Sequence, residues 1–281
     1  MTHAKLLPGL EARIADVKGV RLRYYVGGEG PPLVLVHGLA GAAANWTLLA
    51  PALAARHRLL VPDLPGHGGS SPLSAGPTLN PFADAVFALA ERERMLPAPV
   101  VGHSMGGVIA LRLALRRPDS VRAVVLAAPA GISSTARRAE LAFAIVSAMR
   151  PARLVAPLRG AIARSRLLRA AVFGAWEVSD TAAFSPVAVE AFLCGPAIHS
   201  DVDTAGWALL RDDPRTELDR IRCPCLVLWG ARDHLVPVDD GIEYARRLGA
   251  ALRIVADCGH LVIGERPDAS ANAILSFLET L

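Results

Sequence analysis

Val100-Val101-Gly102-His103-Ser104-Met105-Gly106-Gly107 sets a serine between two glycines where an apolar run gives way to a helical pattern. Such a stretch reads as a strand turning sharply into a helix, because glycines at 102 and 106 remove the clashes that side chains would make in so tight a turn. The Ser104 hydroxyl then stands above the sheet, at a helix N-terminus whose unpaired N–H groups favour developing negative charge. The pentapeptide is a short pattern, so the rest of the chain has to carry the argument.

Outward from this stretch, short β-rich runs alternate with helical patterns, the signature of a mostly parallel sheet with helices on both faces. Eight strands are expected, at Arg13–Val17, Val20–Val26, Leu33–His37, Leu59–Asp63, Ala98–Gly102, Ala123–Ala127, Cys225–Trp229 and Leu252–Val255. Lys18-Gly19 is a plausible hairpin turn, so the sheet should open with an antiparallel pair. Apolar residues three or four apart predict helices at Asn45–Arg56, Asn80–Met95, Met105–Arg117, Asp239–Leu248 and Pro267–Glu279. Between Gly131 and Pro214 the alternation breaks into helical pattern without a convincing strand, which predicts a helical cap over 131–214 inserted into a core of 1–130 and 215–281. Phe173, Trp176, Phe184, Phe192 and Trp207 in that insertion suit either the roof of a pocket above the strand ends or the insertion's own core. As a set they argue for an apolar site.

Composition narrows the classes. At 281 residues, 52% hydrophobic and 20% charged, the chain is far from disorder, and no apolar run approaches the roughly 18 residues of a membrane span. Residues 1–10 carry Lys5 and then Pro8 and Gly9, with no apolar stretch of the secretory kind, so a cytoplasmic address and no stable membrane insertion are expected. A net charge of +4 with 5% aromatics and no interleaved basic face argues against a nucleic-acid partner. The cations do cluster between Arg137 and Arg169, where eight arginines meet one acid, Glu140: a solvated face, or attraction to an anionic interface or substrate. Cys194, Cys223, Cys225 and Cys258 lack zinc-site spacing, Cys223-Pro224-Cys225 not being Cys-x-x-Cys, so buried or half-buried thiols and no metal are expected.

A serine hydroxyl is a poor nucleophile at neutral pH and needs a base, with a third group to hold that base in the right tautomer. Gly230-Ala231-Arg232-Asp233 follows one strand and Cys258-Gly259-His260 follows the last, so Asp233 and His260 fall on loops at the same sheet edge as Ser104. The order Ser, Asp, His is that of one of the three known chain orders for such triads. Asp239 and Asp240 fit N-capping after Pro237 better. His234 should lie at the surface, His103 in a supporting role, and His199 is a possible substrate contact. Acyl transfer also needs donors for an oxyanion. His37-Gly38-Leu39-Ala40-Gly41, directly after a strand, would bring the backbone N–H of Leu39 to meet that of Met105. Asp63-Leu64-Pro65-Gly66-His67-Gly68 reads as a rigid turn.

Together, His37-Gly38, Asp63 to Gly68, Gly102 to Gly106, Gly230 to Asp233 and Gly259-His260 resemble the motif series of the α/β-hydrolase superfamily, over about Val20 to the C-terminus. The resemblance implies the α/β-hydrolase fold, a catalytic triad of Ser104, Asp233 and His260, an acyl-enzyme mechanism, and no cofactor. Haloalkane dehalogenases and epoxide hydrolases of this fold use an aspartate nucleophile, against which Ser104 speaks. Carbon–carbon hydrolases of the meta-cleavage type keep the serine but carry a tryptophan after the histidine, where this chain has Leu261, a candidate pocket residue. An esterase acting on a small or medium apolar ester is the first expectation. The alternatives are a carbon–carbon hydrolase, a peroxidase using the same triad, and a non-catalytic ligand-binding relative.

Overall fold

Lys18 and Gly19 both take positive φ, 50° and 80°, and close β1 (Glu11–Val17) onto β2 (Val20–Gly27) with Val17 opposite Val20. That is the left-handed two-residue turn whose twist matches an antiparallel hairpin. The structure is a computed structural model, describing residues 7–73, 76, 78–130, 132, 154–198 and 201–281. The remaining strands are β3 (Pro32–Val36), β4 (Arg58–Pro62), β5 (Ala98–His103), β6 (Val121–Ala127), β7 (Cys225–Gly230) and β8 (Ala251–Val255). All eight lie where the sequence put them, with ends within two residues.

They form one sheet in the order β1-β2-β4-β3-β5-β6-β7-β8. β2 pairs antiparallel with β1 and β4, and the other pairs run parallel. Every residue of β5 and β7 is buried. Successive side chains point to opposite faces, so uninterrupted burial means that both faces are covered. From β3 the chain moves outward to β4 and then crosses back to β5 on the other side, which makes the gap beyond the ends of β3 and β5 the switch point where open α/β sheets hold ligands.

The core helices are α1 (Ala50–Ala54), α2 (Asn80–Arg92) and α3 (Met105–Arg116). The continuous helix expected over Asn45–Arg56 does not form. A 3₁₀ turn at Ala43–Trp46 precedes the short α1 instead. Competing partners explain the break: the Asp63 carboxylate accepts from the Ala43 N–H at 2.7 Å, Asn45 donates to the Ala191 carbonyl at 3.2 Å, and Pro51 has no N–H to continue a ladder.

Between β6 and β7 the described residues form α4 (Arg159–Arg164), α5 (Arg166–Glu177), α6 (Pro186–Ile198) and α7 (Val202–Arg211), with no strand among them. Phe173, Phe184, Ile162, Val178 and Val189 build a separate apolar cluster there, which Leu261 joins from the loop after β8. Buried polar contacts fasten this layer to the core helices α2 and α3. Arg112 on α3 pairs with Asp212 and Glu217, and the other Asp212 oxygen accepts the Leu79 N–H at 2.7 Å. The chain closes with α8 (Val238–Leu248), α9 (Val262–Glu265) and α10 (Pro267–Leu278). Asp239 and Asp240 sit inside the first turn of α8, whose N-cap is Pro237. Their negative charge complements the helix dipole there instead of capping it. No described helix is long and apolar enough to cross a membrane.

Candidate active site

Ser104 is held at φ 53° and ψ −121°, between β5 and α3. For a residue with a side chain such a conformation costs on the order of 1–3 kcal/mol and persists only where the surroundings enforce it. Here they do. The Ser104 N–H donates to the Ala127 carbonyl at 3.0 Å, and its carbonyl accepts from Gly107 at 2.9 Å and Ala130 at 3.2 Å. The flanking glycines are required by contact: a β-carbon on Gly102 would lie 2.1 Å from the Gly106 carbonyl oxygen, and one on Gly106 would lie 2.2 Å from that of Val36. The tight turn read from the pentapeptide is therefore the observed backbone.

The three side chains singled out in the sequence meet beyond the ends of β5, β7 and β8. His260 Nε2 lies 3.1 Å from Ser104 Oγ, and His260 Nδ1 lies 2.8 Å from Asp233 Oδ2. The second Asp233 oxygen accepts from the backbone N–H groups of Leu235 at 3.0 Å and Val236 at 2.8 Å. With Oδ1 so occupied, the carboxylate presents Oδ2 to the imidazole. A carboxylate accepts only, so Nδ1 carries the proton of the neutral ring and Nε2 turns its lone pair to the serine hydroxyl. The Asp233 side chain is fully buried and that of His260 is 4% exposed, while Ser104 is half-buried. This arrangement can take a proton from Oγ and return it to a leaving group.

Two further residues steady the imidazole, and neither role was legible as a contact. His103 donates from Nε2 to the His260 carbonyl at 3.1 Å, across 157 positions of sequence. Burial, and then the neighbouring His260 ring, push its pKa down to about 3, so it is a neutral donor. Glu177, at the end of α5, accepts the Leu261 N–H on its backbone carbonyl at 3.1 Å. Desolvation raises its carboxyl pKa, a shift that His260 partly offsets. His234 is exposed.

The loop after β3 lies against the serine. A β-carbon on Gly38 would stand 3.0 Å from Ser104 Cβ, so a side chain there would crowd the serine and push at the stretch containing Leu39. His37 braces that loop by donating from Nδ1 to the Gly38 carbonyl at 2.8 Å and accepting the Leu64 N–H on Nε2 at 2.9 Å. Asp63 organises the neighbouring turn through Arg23 at 2.5 Å and the N–H groups of Ala43 at 2.7 Å and Gly69 at 2.9 Å. Met105 opens α3 and so carries one of its unpaired N–H groups.

Among the aromatic pocket candidates whose side chains are described, Phe192 packs against the serine turn, its ring edge-on to His103 at 6.3 Å between centroids. It also fills the space left at Gly264, where a β-carbon would stand 2.4 Å from the ring. Phe173 and Phe184 pack on each other at 5.0 Å and belong, with Leu261, to the insertion's own cluster. Trp207 is 37% exposed, with the Arg211 guanidinium 5.8 Å from its ring. The side chain of Trp176 and all of His199 lie outside the described residues. Cys194, Cys225 and Cys258 are buried free thiols and Cys223 is half-buried. Among the described residues no group of three or more His, Cys, Asp or Glu side chains is arranged to hold a metal ion.

Comparison with known proteins follows the same lines. The chain is 32% identical over 272 residues to the dihydrolipoyllysine-residue acetyltransferase component of the acetoin cleaving system of Pseudomonas putida, covering 94% of this chain and 68% of that one. It is 33% identical over 254 residues to pimeloyl-[acyl-carrier protein] methyl ester esterase of Chromobacterium violaceum, covering 89% and 90%. A hydrolase from Pseudomonas aeruginosa superposes with a TM-score of 0.74 at 27% identity, covering 95% of this chain and 98% of the other. The model of the alpha/beta hydrolase family matches residues 33–273, and the chain belongs to that family.

Proposed function

We propose that this protein is a serine hydrolase that cleaves small or medium apolar carboxylic esters through an acyl-enzyme. The observation that carries this reading is the pair of contacts, 3.1 Å and 2.8 Å, linking Ser104, His260 and Asp233. Ser104 Oγ attacks the ester carbonyl while His260 Nε2 takes its proton, and Asp233 holds the ring and stabilises the imidazolium. The backbone N–H groups of Leu39 and Met105 receive the oxyanion, and each such donor contributes about 2.7–4 kcal/mol as judged by removal elsewhere. His260 then passes the proton to the leaving alcohol, and water repeats the sequence to release the acid. The roles need no cofactor.

Residues 131–214 act as a cap over a core of 1–130 and 215–281, with Phe192 and Leu261 lending the acyl side an apolar wall. The esterase named among the relatives supports the ester as substrate class. Labelling with a fluorophosphonate, followed by mass spectrometry, is expected to place the adduct on Ser104, and Ser104→Ala should lose turnover by on the order of 10⁴–10⁶ while still folding. A panel of p-nitrophenyl esters of graded chain length then measures the pocket. An adduct on another serine, or an active Ser104→Ala variant, would refute the assignment.

A further inference from the structure

Large apolar residues scattered singly over a surface are ordinary, but four leucines exposed within fifteen residues are not. Leu154 is 73% exposed, Leu158 60%, Leu167 83% and Leu168 43%. Leu154 and Leu158 are four positions apart on the approach to α4, and Leu167 and Leu168 lie in the first turn of α5. Around them stand Arg159, Arg164 and Arg166, and among the described residues none of the three has a carboxylate within ion-pairing distance. Arg169 is different in kind, buried and donating to the carbonyls of Thr181 and Ala163.

The sequence deepens the bias. From Leu141 to Trp176 there are six arginines and no aspartate or glutamate. A surface designed merely to stay in water would mix both signs and keep its leucines inside. Leucines beside arginines that have no carboxylate partner among the described residues instead match an anionic interface with an apolar interior, where the side chains enter the acyl boundary and the guanidinium groups meet phosphate. We propose that the outer face of α4 and the start of α5 dock this protein onto an anionic lipid surface. Docking is peripheral, since no described helix is of spanning length and apolarity. It would also set the site close to the membrane: α5 runs from the exposed leucines to Glu177, whose carbonyl binds the residue after His260.

The test is co-sedimentation of the full chain with vesicles of phosphatidylcholine alone and of phosphatidylcholine with one quarter phosphatidylglycerol. Binding is expected to the second and to weaken as salt rises. Each arginine near such a surface contributes about fivefold in partitioning, so Arg164→Gln with Arg166→Gln should lower it about 25-fold. Leu167→Ser should lower it about tenfold through lost apolar burial. Both changes are on exposed residues away from the site, and thermal melting checks that each variant is folded. The readout does not depend on ester hydrolysis, so it stands or falls separately from the proposed activity. Absence of binding to anionic vesicles at low salt overturns the proposal. So does binding that these folded variants leave unchanged, or capture by an acidic carrier protein with no affinity for vesicles.

Discussion

Replacing Asp233 by asparagine should disable the site while leaving its shape intact, for a reason visible in the hydrogen bonds. Asp233 Oδ1 accepts two backbone N–H groups, from Leu235 at 3.0 Å and Val236 at 2.8 Å. An asparagine must keep its carbonyl oxygen there, because turning its NH₂ toward them would leave buried donors unpaired at about 1–3 kcal/mol each. Its NH₂ is therefore forced to face His260 Nδ1, which must accept and so gives up its proton. The neutral ring then carries hydrogen on Nε2, pointing at Ser104 Oγ, and has no lone pair with which to take the serine proton. A wrong tautomer in a triad costs on the order of 10⁴ in kcat, or ~5.5 kcal/mol. Steady-state hydrolysis of p-nitrophenyl butyrate by Asp233→Asn, with thermal melting as the check on folding, measures the loss. Retention of more than about a tenth of wild-type kcat would show that the imidazole finds its productive form without the carboxylate. Asp240→Asn, in the first turn of α8, should leave kcat nearly unchanged, and a comparable loss there would move the acid to that position.

Other expectations follow from the packing. Gly106→Ala would put a β-carbon 2.2 Å from the Val36 carbonyl oxygen and 2.6 Å from that of His37, both rigid backbone. Forcing β3 and α3 apart should cost about 3 kcal/mol and lower Tm by roughly 6–12 °C, read by calorimetry. Asp212→Ala leaves Arg112, whose side chain is 9% exposed, with Glu217 as its remaining carboxylate partner. Denaturant titration should show a loss of about 3–5 kcal/mol, and a loss under 1 kcal/mol would mean that the insertion is fastened elsewhere. Stability should also fall in mild acid. The pKa of His103 is pushed down to about 3 by burial and then by His260, against ~6.5 in an unfolded chain. The unfolded state thus binds the extra proton between those values, so the stabilisation is complete above about pH 6.5 and is lost as pH falls toward 3. By pH 5 the loss is about 2 kcal/mol, and the buried His37, shifted in the same direction, adds to it. In His103→Gln that part of the slope should vanish, and an unchanged pH profile would show that His103 is charged in the native state.

Local chemistry made the strands and the serine turn legible. Alternating and continuous apolar runs mark β1 to β8 because backbone pleating fixes where each side chain points. Gly102 and Gly106 mark the turn because no β-carbon fits against the Gly106 and Val36 carbonyls. Ser104, Asp233 and His260 were identifiable because each follows a strand, and strands of a parallel sheet end at a common edge. The sequence could not reveal partners distant along the chain. The 3₁₀ turn at Ala43–Trp46 replaces a helix because Asp63 and Ala191 draw polar groups out of it. His103 meets the His260 carbonyl through β5 and the β8 loop, and Phe192 reaches His103 while Phe173 and Phe184 turn to each other. What residues 100–107, 233 and 260 determined alone was which groups stand at the sheet edge, since that depends on backbone period and steric size. Which of them touch, in which tautomer, and which leucines and arginines are left facing outward was decided by the tertiary structure, because hydrogen-bond angles and burial depend on elements the local sequence does not contain.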